Sequence, residues 1–296
     1  MTDVQIFWDP KGEELDSIGK SRYWNHTDGD TTSVITNIRL LSIDTAELHY
    51  QGHPHNHDGK LKELADWIYE GRLRLSTRLS EHLHERLTTG TAGTLQERQG
   101  EEAKAEFERL VQTKLTKANG DRRPIRLIAA DEHFDQYGRL LAYVFPRYTP
   151  TESWTMSYAE LASLNFYMVE SGWAALFPIY PSLPRHLDLV MFQKAAREAY
   201  ENKKGAWAEP LAIPGYEYRM CLRLHKVARK VVAGEKVREG NVYGCAHRFC
   251  ADVTTKEIFY PVNYYKVPPY NRLFVWPKHV VDAVGKLNLR PSEPEW

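Results

Sequence analysis

Two acidic turns bracket one short apolar run in this sequence. The stretch "DGDTT", residues 28–32, carries Asp30, and "IRLLSIDTAE", residues 38–47, holds Arg39 in its body and ends on Asp44, Thr45 and Glu47. Carboxylates that converge from separate turns repel one another unless a cation lies between them, and hard oxygen ligands favour calcium or magnesium. A second arginine, Arg139, opens the run "RLLAYVF" at 139–145. A guanidinium offers paired donors that match phosphate oxygens and stays charged at any working pH, so Arg39 and Arg139 could form a fork around a phosphate. Acidic residues plus arginines make a phosphodiester-cleaving set. A metal would neutralise a non-bridging oxygen, the arginines would stabilise charge gathering on phosphorus, and a carboxylate would orient or deprotonate an attacking water. Taken alone, "DGDTT" also reads as a tight turn.

Arg39 and Asp44 stand five positions apart, so strict alternation would send them to opposite faces of a regular strand. The strand must therefore end or bulge before Asp44. Other strand signals fall at 125–130 and 139–145 beside the first at 33–43, and helical periodicity marks 100–113, 157–171 and 188–204. Within 157–171, Leu161, Leu164, Met168 and Val169 form the stripe of a helix packed on a sheet. Short strands followed by helices indicate an α+β domain rather than alternating βαβ units.

Gly205 and Pro210 end that domain, "LAIPGYEY" follows as a linker, and the remainder mixes β-rich runs such as "EIFYPVNYY" with a late helix, "KHVVDAVGKL". Charge changes at the same place. The chain of 296 residues is neutral, with 39 Lys and Arg against 39 Asp and Glu, but residues 211–296 hold 14 basic against 8 acidic side chains. A basic C-terminal piece beside an acidic N-terminal piece suits a polyanion held next to a cation, or simply solvated surfaces of unequal sign. The N-terminus, "MTDVQIFWDPKGEELDS", is acidic where a secretory signal would be basic and then apolar, and no segment has the length of a membrane span. A cytoplasmic protein with no membrane partner is expected. Three cysteines, Cys221, Cys245 and Cys250, are an odd count that does not resemble a disulfide framework.

Three stretches each admit more than one reading. His49, His53, His55 and His57 in "HYQGHPHNHDG" are either transition-metal ligands or part of a polar surface loop leading into a helical hairpin. "CAHRFC" at 245–250, with Cys221, supplies either zinc ligands or buried free thiols, and its spacing fits no standard finger. The aromatics and basic residues of "FYPVNYYKVPPYNRLFVW" suit either single-stranded nucleic acid or an ordinary small core, with a protein-interaction or dimerisation surface equally open.

The ordered motifs "DGDT", "IRLLSIDTAE", "GEEAKAEF", "DQYGRLLAYVF", "NFYMVESGWAAL" and "AAREAYENKKGAW", spread over residues 28–207, resemble those of the staphylococcal nuclease family. The resemblance implies a five-stranded OB-type β-barrel with packed helices, one bound calcium ion, and endonucleolytic hydrolysis of DNA or RNA to products with a 3′-phosphate. It implies Asp30 and Asp44 as calcium carboxylates and Thr45 as a ligand through its backbone carbonyl. Glu47 takes the position of the water-activating glutamate, Arg39 and Arg139 match the phosphate-facing arginines, and Tyr137 and Tyr180 match tyrosines lining the nucleotide pocket. Ala46 replaces the usual proline, and the hairpin between Asp30 and Arg39 is shorter than in secreted members. The organisation expected is an N-terminal arm (1–23), a nuclease-like domain (24–210) with a helical insertion over about 49–99, and a smaller α+β C-terminal accessory domain (211–296). A calcium-dependent endonuclease acting on DNA or RNA is the leading expectation, because Arg39, Asp30, Asp44, Thr45, Glu47 and Arg139 are all filled. The alternative is a catalytically silent or autoinhibited nucleic-acid or protein-binding scaffold on the same fold.

Overall fold

The apolar run at 33–45 does not form one strand. The computed structural model describes residues 21–292, so most of the expected N-terminal arm lies outside the described residues. Two strands, β1 (Arg22–His26) and β2 (Thr32–Ile35), pair as an exposed antiparallel hairpin, and β3 (Ile38–Leu40) and β4 (Ile43–Thr45) follow. Ser42, between β3 and β4, has φ of 59°, a conformation that L-residues adopt at a cost and that breaks the extended chain. This is the interruption that the Arg39 to Asp44 spacing demands.

Beyond it come α1 (Asp58–Tyr69), α2 (Thr77–Leu87), α3 (Ala92–Lys114), β5 (Ile125–Phe134), β6 (Leu140–Pro146), α4 (Pro150–Ser153), α5 (Leu164–Glu170), β7 (Ala174–Leu176), β8 (Ile179–Tyr180) and α6 (His186–Glu201). The chain then runs through α7 (Gly215–Val232), α8 (Glu239–Tyr243), β9 (Phe249–Asp252), β10 (Glu257–Phe259), β11 (Arg272–Val275), α9 (Val280–Leu287) and β12 (Arg290–Pro291). The mixed α+β class holds. The expected five-stranded closed barrel is not seen as one continuous ladder: among the described residues the strands lie in four hydrogen-bonded sheets, β1-β2, β3-β6-β5, β4-β7 and β12-β10-β9-β11-β8. The kink at Ser42 explains part of this, because it turns β3 parallel onto β6 and β4 antiparallel onto β7.

A buried asparagine bridges the gap. Asn165, on α5, donates from Nδ2 to the Leu41 carbonyl at 2.9 Å and accepts at Oδ1 from the Val144 amide at 3.0 Å. It thereby satisfies backbone groups that an unbroken ladder would have paired. Phe177 N donates to the Ser42 carbonyl at 2.7 Å, and the Ser42 and Tyr143 hydroxyls lie 2.6 Å apart. The helix expected at 157–171 is shorter, because Ser163 caps α5 by accepting from the Phe166 amide and Ser157 and Glu160 satisfy each other locally upstream. Of its expected stripe, Leu164, Met168 and Val169 are buried and Leu161 lies half-buried before α5, while Asn165, Phe166 and Tyr167 are buried as well, so burial of α5 is not confined to one stripe.

The insertion forms a helical hairpin. Leu61, Leu64, Ala65 and Ile68 of α1 and Leu79, Leu83 and Leu87 of α2 are buried at helical spacing. They share one hydrophobic core with Tyr218, Cys221, Leu222 and Leu224 of α7, while a second core gathers Leu41, Ile43, Tyr143, Leu164 and Phe192. The stretch "LAIPGYEY" therefore departs from the expected linker, since Pro214 starts α7 at Gly215 and Tyr216 and Tyr218 are buried. "EIFYPVNYY" extends only through β10, because Pro261 begins a 3₁₀ turn over Pro261–Lys266. No helix among the described residues is long and apolar enough to cross a membrane.

Asn165→Ala leaves the Leu41 carbonyl and the Val144 amide buried without these partners. Each orphaned group costs about 1–3 kcal/mol, so denaturant unfolding is expected to show a loss of at least about 2 kcal/mol with an unchanged m-value.

Candidate active site

The broken strand brings Arg39 and Asp44 together. Arg39 Nη2 donates to Asp44 Oδ1 at 2.8 Å and to the Ile43 carbonyl at 3.3 Å. The Asp44 side chain is only 1% exposed, and a buried carboxylate requires compensation beyond one half-exposed arginine. The rest comes from a residue that the sequence analysis did not single out. Arg219, in the first turn of α7, donates from Nη2 to Asp44 Oδ1 at 3.0 Å and Oδ2 at 3.1 Å, and its Nη1 bonds Glu47 Oε1. The guanidinium lies between the two carboxylates.

Glu47 is held from both sides. Gln96 of α3, 1% exposed, accepts from the Glu47 amide at 2.8 Å and donates to the Ile213 carbonyl at 3.0 Å, tying this turn to the segment that leads into α7. Burial raises the Glu47 pKa, Arg219 pulls it back, and Asp44 adds to the rise. Burial works against the charged form of Arg219, but Asp44 and Glu47 raise its pKa overall. Arg248, just before β9, stacks over the Trp276 ring at 3.9 Å, and burial followed by the charge of Arg219 pulls it down to about 10, so it stays charged at neutral pH. Its Nε is buried with no hydrogen-bond partner among the described residues. Guanidiniums thus outnumber carboxylates here, a balance that favours an anion with several oxygens.

Arg39 pairs with Leu141 across the parallel β3-β6 ladder and the Leu140 amide donates to the Asn37 carbonyl, while Arg139 stands just before β6 and outside the ladder. Its side chain turns back onto Asp135, donating from Nε to Oδ2 at 2.7 Å, while Asp135 Oδ1 accepts from the Tyr137 and Arg139 amides. Tyr137 is exposed on this turn, with the Arg139 guanidinium 5.3 Å from its ring centroid.

Of three further expected residues, Asp30 and Tyr180 stand apart and Thr45 is covered where it stands. Asp30 sits in the exposed β1-β2 turn, where its side chain accepts from the Thr31 hydroxyl at 3.2 Å, and it belongs to no metal-capable group among the described residues. Thr45 faces Gly215 so closely that a Cβ on that glycine would come within 2.2 Å of the Thr45 carbonyl oxygen. Tyr180 is buried among Ala251, Leu273 and Val275 and donates to Asp282, so its ring faces the C-terminal segment and offers no open surface for a nucleotide base.

Calcium needs about 6–8 oxygen ligands at roughly 2.3–2.6 Å. Here both Asp44 oxygens and Glu47 Oε1 already accept from guanidiniums, the Thr45 carbonyl is covered by α7, and Asp30 belongs to a separate hairpin. In this arrangement the residues do not fit the ion, and Arg219 fills the position of a cation. The cysteines are free and buried, burial pushes Cys245 up to about 11 and Cys250 to about 12, and they form no metal-capable group among the described residues.

A family model described as staphylococcal nuclease homologue matches residues 37–209. A search of curated proteins gives no match for the chain.

Gly215→Ala forces a Cβ toward the Thr45 carbonyl and to 2.8 Å from Asp44 Oδ2, whereas a Cβ at Gly240, in α8, would meet nothing within 4 Å among the described residues. Overpacking of this kind costs about 1–3 kcal/mol. Thermal unfolding is expected to fall clearly for Gly215→Ala and to stay near wild type for Gly240→Ala.

Proposed function

Because this chain belongs to the staphylococcal nuclease family, we propose that it hydrolyses phosphodiester bonds in nucleic acid, acting on DNA or RNA as an endonuclease at the Arg39, Asp44 and Glu47 centre. The observation that carries this reading is the kink at Ser42, which brings Arg39 against a buried carboxylate within one turn of Glu47. Arg139, which stands just before the strand that pairs with β3, matches the second phosphate-facing arginine of the resemblance, and the Arg248 guanidinium lies within electrostatic reach of Arg39 and Asp44. In the reaction these guanidiniums grip the non-bridging phosphate oxygens and stabilise the charge that develops on them. Glu47, whose pKa is raised chiefly by burial, takes the proton from the attacking water, whose oxygen bonds to phosphorus as the bond to the leaving ester oxygen breaks, and that oxygen takes a proton from solvent. Asp44 holds Arg39 in position. The calcium expected from the resemblance finds no coordination sphere in this arrangement.

Arg219 supports a second reading. Its fork on Asp44 and its bond to Glu47 occupy the carboxylates that would act on water, so the same fold serves as a closed nucleic-acid-binding scaffold for as long as α7 stays docked. The test is cleavage of single-stranded DNA, duplex DNA and RNA by wild type, Glu47→Gln, Arg139→Ala and Arg219→Ala, each with calcium and with chelator. The nuclease reading expects cleavage that Glu47→Gln reduces by roughly 10²–10⁴-fold, with Arg219→Ala at least as active as wild type. Inert wild type together with inert Arg219→Ala, both still binding nucleic acid, would establish the scaffold.

The pH profile offers an independent check. Glu47 acts only when ionised, so kcat/KM rises with pH through a value above the ordinary glutamate range. Arg219 lowers that pKa, and its removal in Arg219→Ala is therefore expected to move the acid limb to higher pH.

A further inference from the structure

The histidine-rich loop splits in two. His57 is buried, its Nδ1 lying 2.6 Å from the Tyr218 hydroxyl, and it belongs to the packing of α7. His53 and His55 stay exposed and direct their Nδ1 atoms to the two oxygens of a single carboxylate, Glu97 of α3. His53 Nδ1 lies 3.0 Å from Glu97 Oε1, and the three ligand atoms are all within 4.8 Å of one another. The ring of His49 approaches His53 edge-on, with centroids 5.6 Å apart.

We propose that His53, His55 and Glu97 bind a borderline transition-metal dication, zinc foremost, with His49 or water completing a tetrahedral site. Bond lengths of about 2.0–2.2 Å place the ligand atoms of a tetrahedral zinc site roughly 3.3 Å apart, close to the present separation of His53 and Glu97. Two imidazoles with one carboxylate select zinc, copper or nickel over calcium or magnesium, so this site is chemically unlike the one expected at Asp44. Without a metal each Nδ1 must carry a proton to bond the carboxylate, and a dication replaces those protons and holds the same three atoms.

The segments that carry the ligands are held against each other. Asp58 accepts from the Gly93 and Thr94 amides at 2.6 and 2.9 Å, capping the start of α3. Gly93 lies so close to a 3₁₀ turn at Pro54–His57 that a Cβ there would come within 2.1 Å of the Pro54 carbonyl oxygen. The turn carrying His55 and the helix carrying Glu97 are thus in direct contact, which lowers the cost of bringing the ligands together. Glu97 also follows Gln96, the residue that holds the Glu47 amide, so metal binding would brace the chain leaving the candidate active site. The proposal does not depend on the hydrolytic reading.

The test is titration of chelator-treated full-length protein with Zn2+ against a chromophoric chelator, and with Co2+ followed by its visible d–d absorption. One saturable site per chain with a tetrahedral Co2+ spectrum is expected. His55→Ala and Glu97→Gln, checked for folding by circular dichroism, should weaken it by more than the roughly 10–100-fold that loss of an outer-shell partner costs. Cys245→Ser should leave it unchanged. Absence of saturable binding, binding untouched by His55→Ala and Glu97→Gln, or a thiolate charge-transfer band would overturn the proposal.

Discussion

The docking of the first turn of α7 is the constraint on which the rest of the structure depends. Four consecutive residues there reach four different parts of the molecule. Tyr216 accepts from Arg272 of β11 at 2.5 Å, and Glu217 lies 2.6 Å from Nε2 of His82 on α2. Tyr218 meets His57, and Arg219 takes Asp44 and Glu47. Each contact pairs a buried polar group with a partner from a segment distant in sequence, and such groups are costly only when left alone. The turn therefore holds the insertion, the C-terminal sheet and the candidate site in one register.

Charge explains why this turn can sit where it does. Asp44 is almost fully buried, and stripping the cations from such a carboxylate costs about 3–5 kcal/mol. A bound metal is one remedy, and a guanidinium delivered by a helix is another. The chain supplies the second, with Gly215 allowing α7 to lie directly against Thr45. The same helix also carries the apolar face that completes the core of the α1-α2 hairpin, so the electrostatic and hydrophobic demands on α7 are met together.

Local signals were legible in the sequence where one element answers one demand. The five-residue offset between Arg39 and Asp44 required an interruption, and Ser42 provides it. The spacing of Leu164, Met168 and Val169 required a packed helix face, and the helices of the insertion followed their own periodicity. Asn165, by contrast, read as one more residue in a helix, although it repairs the ladder that Ser42 breaks. "LAIPGYEY" read as a linker because proline, glycine and tyrosines are ordinary in linkers, and burial is not written in composition.

By itself, then, the sequence determined the α+β class, the position of several helices but not of α7, the broken strand, and the motif set over residues 28–207, all but the first motif of which lies within the family match at 37–209. These rest on local periodicity, turn chemistry and spacing. Only the tertiary structure decided that Arg219, 175 positions from Asp44, fills its carboxylate, that Asp30 and Tyr180 lie elsewhere, and that Glu97 meets two of four histidines. The C-terminal excess of basic residues was the one trace of Arg219 in the sequence. A charge excess tells which sign a segment brings, whereas the partner of each charge depends on long-range packing that no short window of sequence contains.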